Sequence, residues 1–108
     1  MSSLDFDTMQ AIQRELQDKY KDKWPMLRPE QGRSSLLWMM VEAGEMADII
    51  KKEGDQRIME DEKVRKDFVE EMCDTLMYLN DVMICYGIAP EELKEVYLAK
   101  HERNKKRW

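Results

Sequence analysis

The feature that most constrains the fold of this chain is the spacing of its apolar residues, which recur every three or four positions along most of the 108-residue sequence. This spacing places apolar side chains on one face of an α-helix, whereas a half-buried β-strand requires strict alternation, which no long stretch shows. Only four glycines and three prolines interrupt the pattern. The sequence therefore predicts a single all-α domain over residues 1–108, with long helices and short connections.

Four helices follow from this periodicity and from the residues that begin and end helices. The first is expected to be capped by Ser3 or Asp5 and to end before Pro25. The second is expected over about residues 33–53, ending at Gly54, the residue type that best fits a left-handed helix terminus. The apolar stripe of the first helix comprises Phe6, Met9, Ile12, Leu16 and Tyr20.

The third helix is predicted within residues 61–86, ending at Gly87, and the fourth begins near Pro90. Short connections make consecutive helices antiparallel neighbours, so the predicted architecture is a four-helix bundle. The run 36–41 in the second helix is apolar almost all round. Such a helix in so small a chain indicates that another subunit covers part of it.

Composition limits the classes of function. A formal net charge of −5 disfavours general nucleic-acid binding, which needs a basic surface to displace counterions. The first residues show no signal-peptide pattern, and no run approaches the roughly 18 apolar residues needed to span a bilayer. Cys73 and Cys85 lie too far apart in one predicted helix for a disulfide. A cytoplasmic protein that binds neither nucleic acid nor membrane is expected.

The residues most informative about function are two pairs of acids inside apolar stretches. Glu42 and Glu45 follow the run 36–41, and Glu71 and Asp74 lie among apolar residues of the third helix. Side chains three residues apart on a helix project from one face, about 60° apart around the axis and about 4.5 Å along it. Because the two helices are expected to be antiparallel neighbours, the four carboxylates are predicted to converge.

Four converging carboxylates would repel one another and take up protons unless a cation held them. Mg²⁺ prefers oxygen ligands from carboxylate, water and phosphate. The sequence therefore predicts an Mg²⁺ site, with Mn²⁺ as the alternative ion, formed by Glu42, Glu45, Glu71 and Asp74. The open alternative is that these acids are solvated on helix faces, as most helical acids are.

The order and spacing of these acids resemble those of a known family. The segments EAGE at 42–45 and EMCD at 71–74, about 25 residues apart, resemble the ExxE…ExxD signature of the MazG-like all-α nucleoside triphosphate pyrophosphatases, relatives of the dimeric dUTPases. The resemblance covers the chain from about Leu36 to its last residue. It includes a tail pattern formed by Lys100, Asn104, Arg107 and Trp108.

This resemblance implies a reaction, in which an Mg²⁺-dependent enzyme cuts a nucleoside triphosphate between its α- and β-phosphates and releases pyrophosphate, for nucleotide-pool housecleaning. It implies that a metal-site glutamate polarises the attacking water; Glu45 is our choice, with Glu42 beside it. The resemblance also implies phosphate contacts from Lys100, Asn104 and Arg107. Together with the excess apolar surface, it implies a homodimer or homotetramer.

Two aromatic side chains complete the predicted site. Tyr78, one turn after Asp74, is expected to face the same cleft and to donate a hydrogen bond to phosphate. Trp38, one turn before Glu42, is placed to stack on a nucleobase. Neither the identity of that base nor the number of metal ions follows from the sequence.

The same residues exclude some other functions and leave others open. A di-iron bundle needs Glu-x-x-His pairs, and the chain has one histidine, His101, outside any such pair. It has no Walker loop and no Gly-x-Ser-x-Gly elbow. A non-catalytic helical module that forms oligomers is the alternative from another class. Within the enzyme class, a dedicated dUTPase or dCTPase, or an enzyme for damaged nucleotides, stays open.

Overall fold

The structure is a computed structural model that describes residues 3–107, and it has no β-strand within that range. The all-α prediction is therefore confirmed. No helix in the described part is long and apolar enough to cross a membrane. Trp108, the last residue of the tail pattern, lies outside the described residues. The four helices are α1 (Phe6–Lys19), α2 (Gly32–Glu60), α3 (Glu62–Cys85) and α4 (Pro90–Arg107), with a 3₁₀ turn at Pro29–Gln31 before α2.

The helix termini follow local sequence signals. Asp5 caps α1, since its Oδ1 accepts a hydrogen bond from the backbone N–H of Thr8 at 2.8 Å. Asp61 caps α3 in the same way. Gly87 follows α3 with a φ of 67°, which suits a residue without a Cβ, and α4 begins at Pro90 as predicted. The fourth helix continues to Arg107.

Gly54 interrupts the second helix without ending it. Its φ of 82° and ψ of 163° are non-helical, and helical structure resumes beyond it as far as Glu60. The sequence places a helix end at Gly54; the structure instead shows a kink, followed by six further helical residues, 55–60, that lead into α3. This conformation is accessible essentially to glycine alone.

Replacement of Gly54 by alanine should therefore destabilise the protein. A Cβ at this backbone conformation costs about 1–3 kcal/mol, so we expect the Tm of Gly54→Ala to fall by several degrees. Thermal unfolding followed by circular dichroism measures this, with Lys51→Ala on the same helix as the control. An unchanged Tm for Gly54→Ala would show that the kink is not required.

Helices α2 and α3 pack along their length as an antiparallel pair. The single residue Asp61 connects them; near it Lys52 and Val64 line a common depression, and farther along Glu45 meets Glu71. This arrangement brings the two acid pairs to the same level. The hairpin of α2 and α3 is the element that positions the site.

Helix α1 packs on α3 through buried polar residues as well as half-buried apolar ones. Gln10 and Gln13 are buried, whereas Ile12, which belongs to the predicted apolar stripe, is 46% exposed. The Gln10 Nε2 donates to the carbonyl of Ile88 at 3.3 Å, which ties α1 to the segment after α3. The inner face of α1 therefore includes most of the predicted stripe but not Ile12, since half-buried positions are Phe6, Met9, Leu16 and Tyr20.

Helix α4 contacts the other helices little. The radius of gyration is 16.4 Å, compared with about 13 Å for a compact domain of roughly 100 residues. Few apolar side chains are buried in the described part, and Met83 and Cys85 are the most enclosed of them. Many of the apolar side chains in the described part are therefore exposed to solvent.

Candidate metal centre

Three of the four predicted metal ligands converge in the structure. Glu42 and Glu45 of α2 and Glu71 of α3 each offer a carboxylate oxygen, and these oxygens lie within 4.8 Å of one another. Asp74, the fourth, stands next to this cluster, since its charge acts on Glu71 and its side chain lines a cavity together with Glu42. The convergence arises because each pair is three residues apart on a helix and the helices are antiparallel.

Electrostatic strain is concentrated on Glu71. Its pKa is raised above the ordinary value, first by its hydrogen-bonding interaction with the Glu42 carboxyl, then by burial and by the charges of Glu42 and Asp74, while Glu45 opposes the shift. The Oε2 of Glu71 is buried and has no hydrogen-bond partner. A buried carboxylate oxygen without a partner costs free energy unless a ligand satisfies it.

The donor set fits a hard divalent cation. All the candidate ligands are carboxylates, the type that Mg²⁺ and Mn²⁺ bind, and an ion between them would satisfy the Glu71 oxygen and remove the repulsion. Basic side chains near this cluster pair with other acids, as Lys52 does with Asp48 and Lys63 with Asp67. A cation is therefore the partner that suits the chemistry of this cluster.

A cavity of about 510 Å³ adjoins the acids. Its volume lies within the range of small-molecule sites, roughly 300–1,000 Å³. Glu42 and Asp74 form its acidic end, and the two predicted aromatic residues, Trp38 and Tyr78, also line it. The remaining walls come from α1, from the connection before α2, from the start of α2 and from Met77 and Asp81 of α3.

Tyr78 is close to the acids electrostatically as well. Its pKa is raised, first by burial and then by the charges of Glu42, Asp81 and Asp74. The phenol therefore keeps its proton at neutral pH and stays a hydrogen-bond donor. The structure thus places Trp38 and Tyr78 where the sequence predicts them, in one cavity beside the acids.

Several lining residues were missed at the sequence level. Gln13 donates from Nε2 to Oδ1 of Asp81 at 2.7 Å, and both side chains are buried. Trp24 and Ser35 line the same cavity. A signal was present for Asp81, because its neighbours on the same helix face include Met77, Ile84 and Cys85. Polar residues in such positions are buried only when they have partners, and a partner on another helix is not visible in the spacing.

The three predicted phosphate contacts lie on α4, away from the acids. Residues of α4 are absent from the lining of the cavity that holds Glu42 and Asp74, as far as residues 3–107 show. A role in phosphate binding stays a prediction for these side chains. They are Lys100, Asn104 and Arg107.

Comparison of the chain with protein-family models, with curated proteins and with solved structures gives no match. The resemblance to the MazG-like pyrophosphatases rests on the residues of EAGE at 42–45 and EMCD at 71–74 and on the tail pattern. Support for a function comes from the acids and from the cavity beside them.

Proposed function

We propose that this chain is an Mg²⁺-dependent nucleoside triphosphate pyrophosphohydrolase, which converts a (d)NTP and water to the (d)NMP and pyrophosphate. One observation carries the proposal: Glu71 lies within 4.8 Å of two other carboxylates, and its buried Oε2 lacks a partner, beside a cavity of nucleotide size. A cation bound between the carboxylates would offset their repulsion and bind the unpartnered Glu71 oxygen. Phosphate oxygens are ligands that such a cation prefers. A nucleotide-pool housecleaning role in the cytoplasm is the corresponding proposal for the cell.

In this proposal Glu42, Glu45, Glu71 and Asp74 hold the ion. Bound there, Mg²⁺ supplies positive charge that neutralises the phosphates and the charge developing at the α-phosphorus. Glu45 is the most exposed of the three clustered acids, which supports its proposed role of accepting the proton of the attacking water. The water oxygen bonds to the α-phosphorus, the bond to the bridging oxygen breaks, and pyrophosphate leaves.

In this proposal the residues that line the cavity orient the substrate. Tyr78 donates its hydroxyl hydrogen to the substrate, and Trp38 offers an aromatic face to the base. Lys100, Asn104 and Arg107 have the chemistry to bind phosphate, as ammonium and guanidinium groups do. Since α4 packs little on its own hairpin, these residues reach phosphate from the α4 of a second copy in our proposal.

The direct test is a substrate panel. Pyrophosphate release from the eight common NTPs and dNTPs is measured with Mg²⁺, with Mn²⁺ and with excess EDTA, and monophosphate is resolved from diphosphate. Metal-dependent formation of monophosphate and pyrophosphate supports the proposal, and the ranking separates a dedicated dUTPase or dCTPase from a broad enzyme. Formation of diphosphate and orthophosphate would contradict it. If no common nucleotide reacts, damaged nucleotides are tested next.

A second candidate function is a non-catalytic helical module that forms oligomers. The observation favouring it is the amount of apolar surface left exposed, which includes Leu37 and Met40 of α2 and Tyr97 of α4. This module would show no turnover with any nucleotide and no change in Tm on addition of Mg²⁺. The enzyme proposal expects turnover and a change in Tm on addition of Mg²⁺.

Both candidate functions involve assembly of the chain into a homo-oligomer. The outer face of α2 carries Leu36, Leu37, Met40 and Val41, each exposed by more than two fifths, and Gly44 follows on this face with open space around it. A glycine inside an exposed helix costs about 1 kcal/mol relative to alanine, so a close approach by another helix gives it a purpose. We propose that a second copy covers this face, as a dimer or tetramer.

Leu37→Glu should therefore disrupt assembly. Burying an unpaired carboxylate in each subunit costs several kcal/mol, which weakens association by roughly 100-fold or more. Light scattering coupled to size-exclusion chromatography at micromolar concentration measures the mass, with Lys51→Glu as the control on a polar part of the helix. A monomeric wild-type protein would contradict the homo-oligomer, and an oligomeric Leu37→Glu would contradict this interface.

A further inference from the structure

The cavity beside the acids has a second acidic group at its far end. Asp81 lies seven residues after Asp74 on α3, with Tyr78 between them, and all three line the cavity. Residues at these intervals share one helix face, and seven residues correspond to about 10 Å along the axis. A nucleotide whose phosphates lie at Asp74 and whose sugar passes Tyr78 therefore directs its base toward Asp81.

The carboxyl group of Asp81 is buried and held in place by a hydrogen bond. Its side chain is only 7% exposed, and Gln13, itself 5% exposed, donates from Nε2 to Oδ1 at 2.7 Å. This hydrogen bond fixes the plane of the carboxyl and engages one of its two oxygens. The other oxygen, Oδ2, has no hydrogen-bond partner among residues 3–107 and belongs to a residue that lines the cavity.

The far end of the cavity lacks a positive side chain. Its lining within the described residues includes no lysine, arginine or histidine, and the neighbouring polar residues are Gln13 and Ser35. An acceptor on a cavity wall that no protein donor satisfies is a site for a donor on the ligand. An N–H group of a nucleobase is such a donor.

We propose that Asp81, held by Gln13, selects nucleotides whose base carries an amino group on its Watson–Crick edge. This inference rests on the proposed function and names its substrate class. Cytosine and adenine present an amino group where their deaminated counterparts, uracil and hypoxanthine, present a carbonyl oxygen. Facing Asp81 Oδ2, the amino group donates a hydrogen bond, whereas the carbonyl oxygen places two acceptors against each other.

Deamination pairs test this selection, because the two members have the same size and shape and differ in that group and in the proton on the adjacent ring nitrogen. We expect kcat/KM for dCTP over dUTP, or for dATP over dITP, to be roughly 10- to 100-fold in the pair that is turned over faster. The dissociation constants of the two members, measured calorimetrically with Ca²⁺, are expected to differ by the same factor. A ratio near one, or a preference for the carbonyl form, overturns the inference.

Asp81→Asn supplies the matched variant. The amide has the same shape and can turn its NH₂ group toward a carbonyl oxygen, so the ratio should fall to near one or invert. Asp55→Asn, at an exposed position of α2, should keep the wild-type ratio. A ratio unaltered in Asp81→Asn would overturn the role of Asp81.

The two proposals fail in different ways. If every triphosphate is bound but none is hydrolysed, the pyrophosphohydrolase function is wrong, and the ratio of dissociation constants still decides base selection. If triphosphates are hydrolysed without preference within either deamination pair, the function stands and base selection by Asp81 is wrong. If neither member of a pair binds or reacts, both are wrong.

Discussion

Glu45→Gln and Asp74→Asn should each lose essentially all turnover while the fold is kept. Loss of a carboxylate ligand removes charge stabilisation worth several kcal/mol at the α-phosphorus, which corresponds to roughly 1000-fold in kcat. Without Mg²⁺, both variants should be at least as stable as the wild type. Asn at position 74 removes an anion that raises the pKa of Glu71, and Gln at position 45 offers an N–H donor to that carboxylate.

Two measurements separate this result from simple unfolding. Initial rates of pyrophosphate release give kcat, and thermal unfolding with and without Mg²⁺ gives the Tm of each state. We expect Mg²⁺ to raise the Tm of the wild type and to raise that of the variants less. Glu70→Gln, an exposed acid next to Glu71, serves as the control and should stay active. Near-normal kcat in Glu45→Gln or Asp74→Asn would show that the ligand assignment is wrong.

Gln13→Leu should give the largest loss of stability among single changes in α1. The substitution leaves the buried Asp81 carboxylate without its hydrogen bond, which costs about 2–3 kcal/mol for a charged group. Domains of this size are stable by only about 5–15 kcal/mol, so the shift in Tm is large. Urea unfolding at neutral pH measures the free energy of unfolding.

The loss should depend on pH in a defined direction. Burial raises the pKa of Asp81 above its ordinary value of 3.8, and the hydrogen bond from Gln13 opposes the rise. The folded chain therefore holds this proton to higher pH than the unfolded chain, and ionisation of Asp81 costs stability as pH rises above 3.8 through the raised pKa. Without Gln13 the pKa rises further. The difference between Gln13→Leu and the wild type should therefore grow with pH and be smallest near about pH 4.

Gln17→Leu is the matched control for this experiment. Gln17 lies on the same helix and lines the same cavity, one turn from Gln13, but only Gln13 donates to Asp81. We expect Gln17→Leu to change stability little and with no added pH dependence. A pH-independent loss in Gln13→Leu would mean that lost packing, not the charge on Asp81, causes the destabilisation.

Local rules predicted the helices and part of the site. The cap at Asp5, the positive φ at Gly87 and the start of α4 at Pro90 depend on residues within one turn of each position. The placement of each acid pair on one helix face is equally local, because it follows from 3.6 residues per turn. An antiparallel hairpin was then enough to bring Glu42, Glu45 and Glu71 together.

The sequence by itself determined the helical class, the helix termini at Asp5, Gly87 and Pro90 and the faces that carry the acids, since these depend on backbone geometry over a few residues. Only the tertiary structure decided that Gln13 and Asp81 are buried while Ile12 is exposed, and that α4 stands apart from the hairpin. Burial of a polar side chain depends on a partner from a distant part of the chain, here 68 residues away. Periodicity identifies a face of a helix, and the neighbouring helix determines which face is covered.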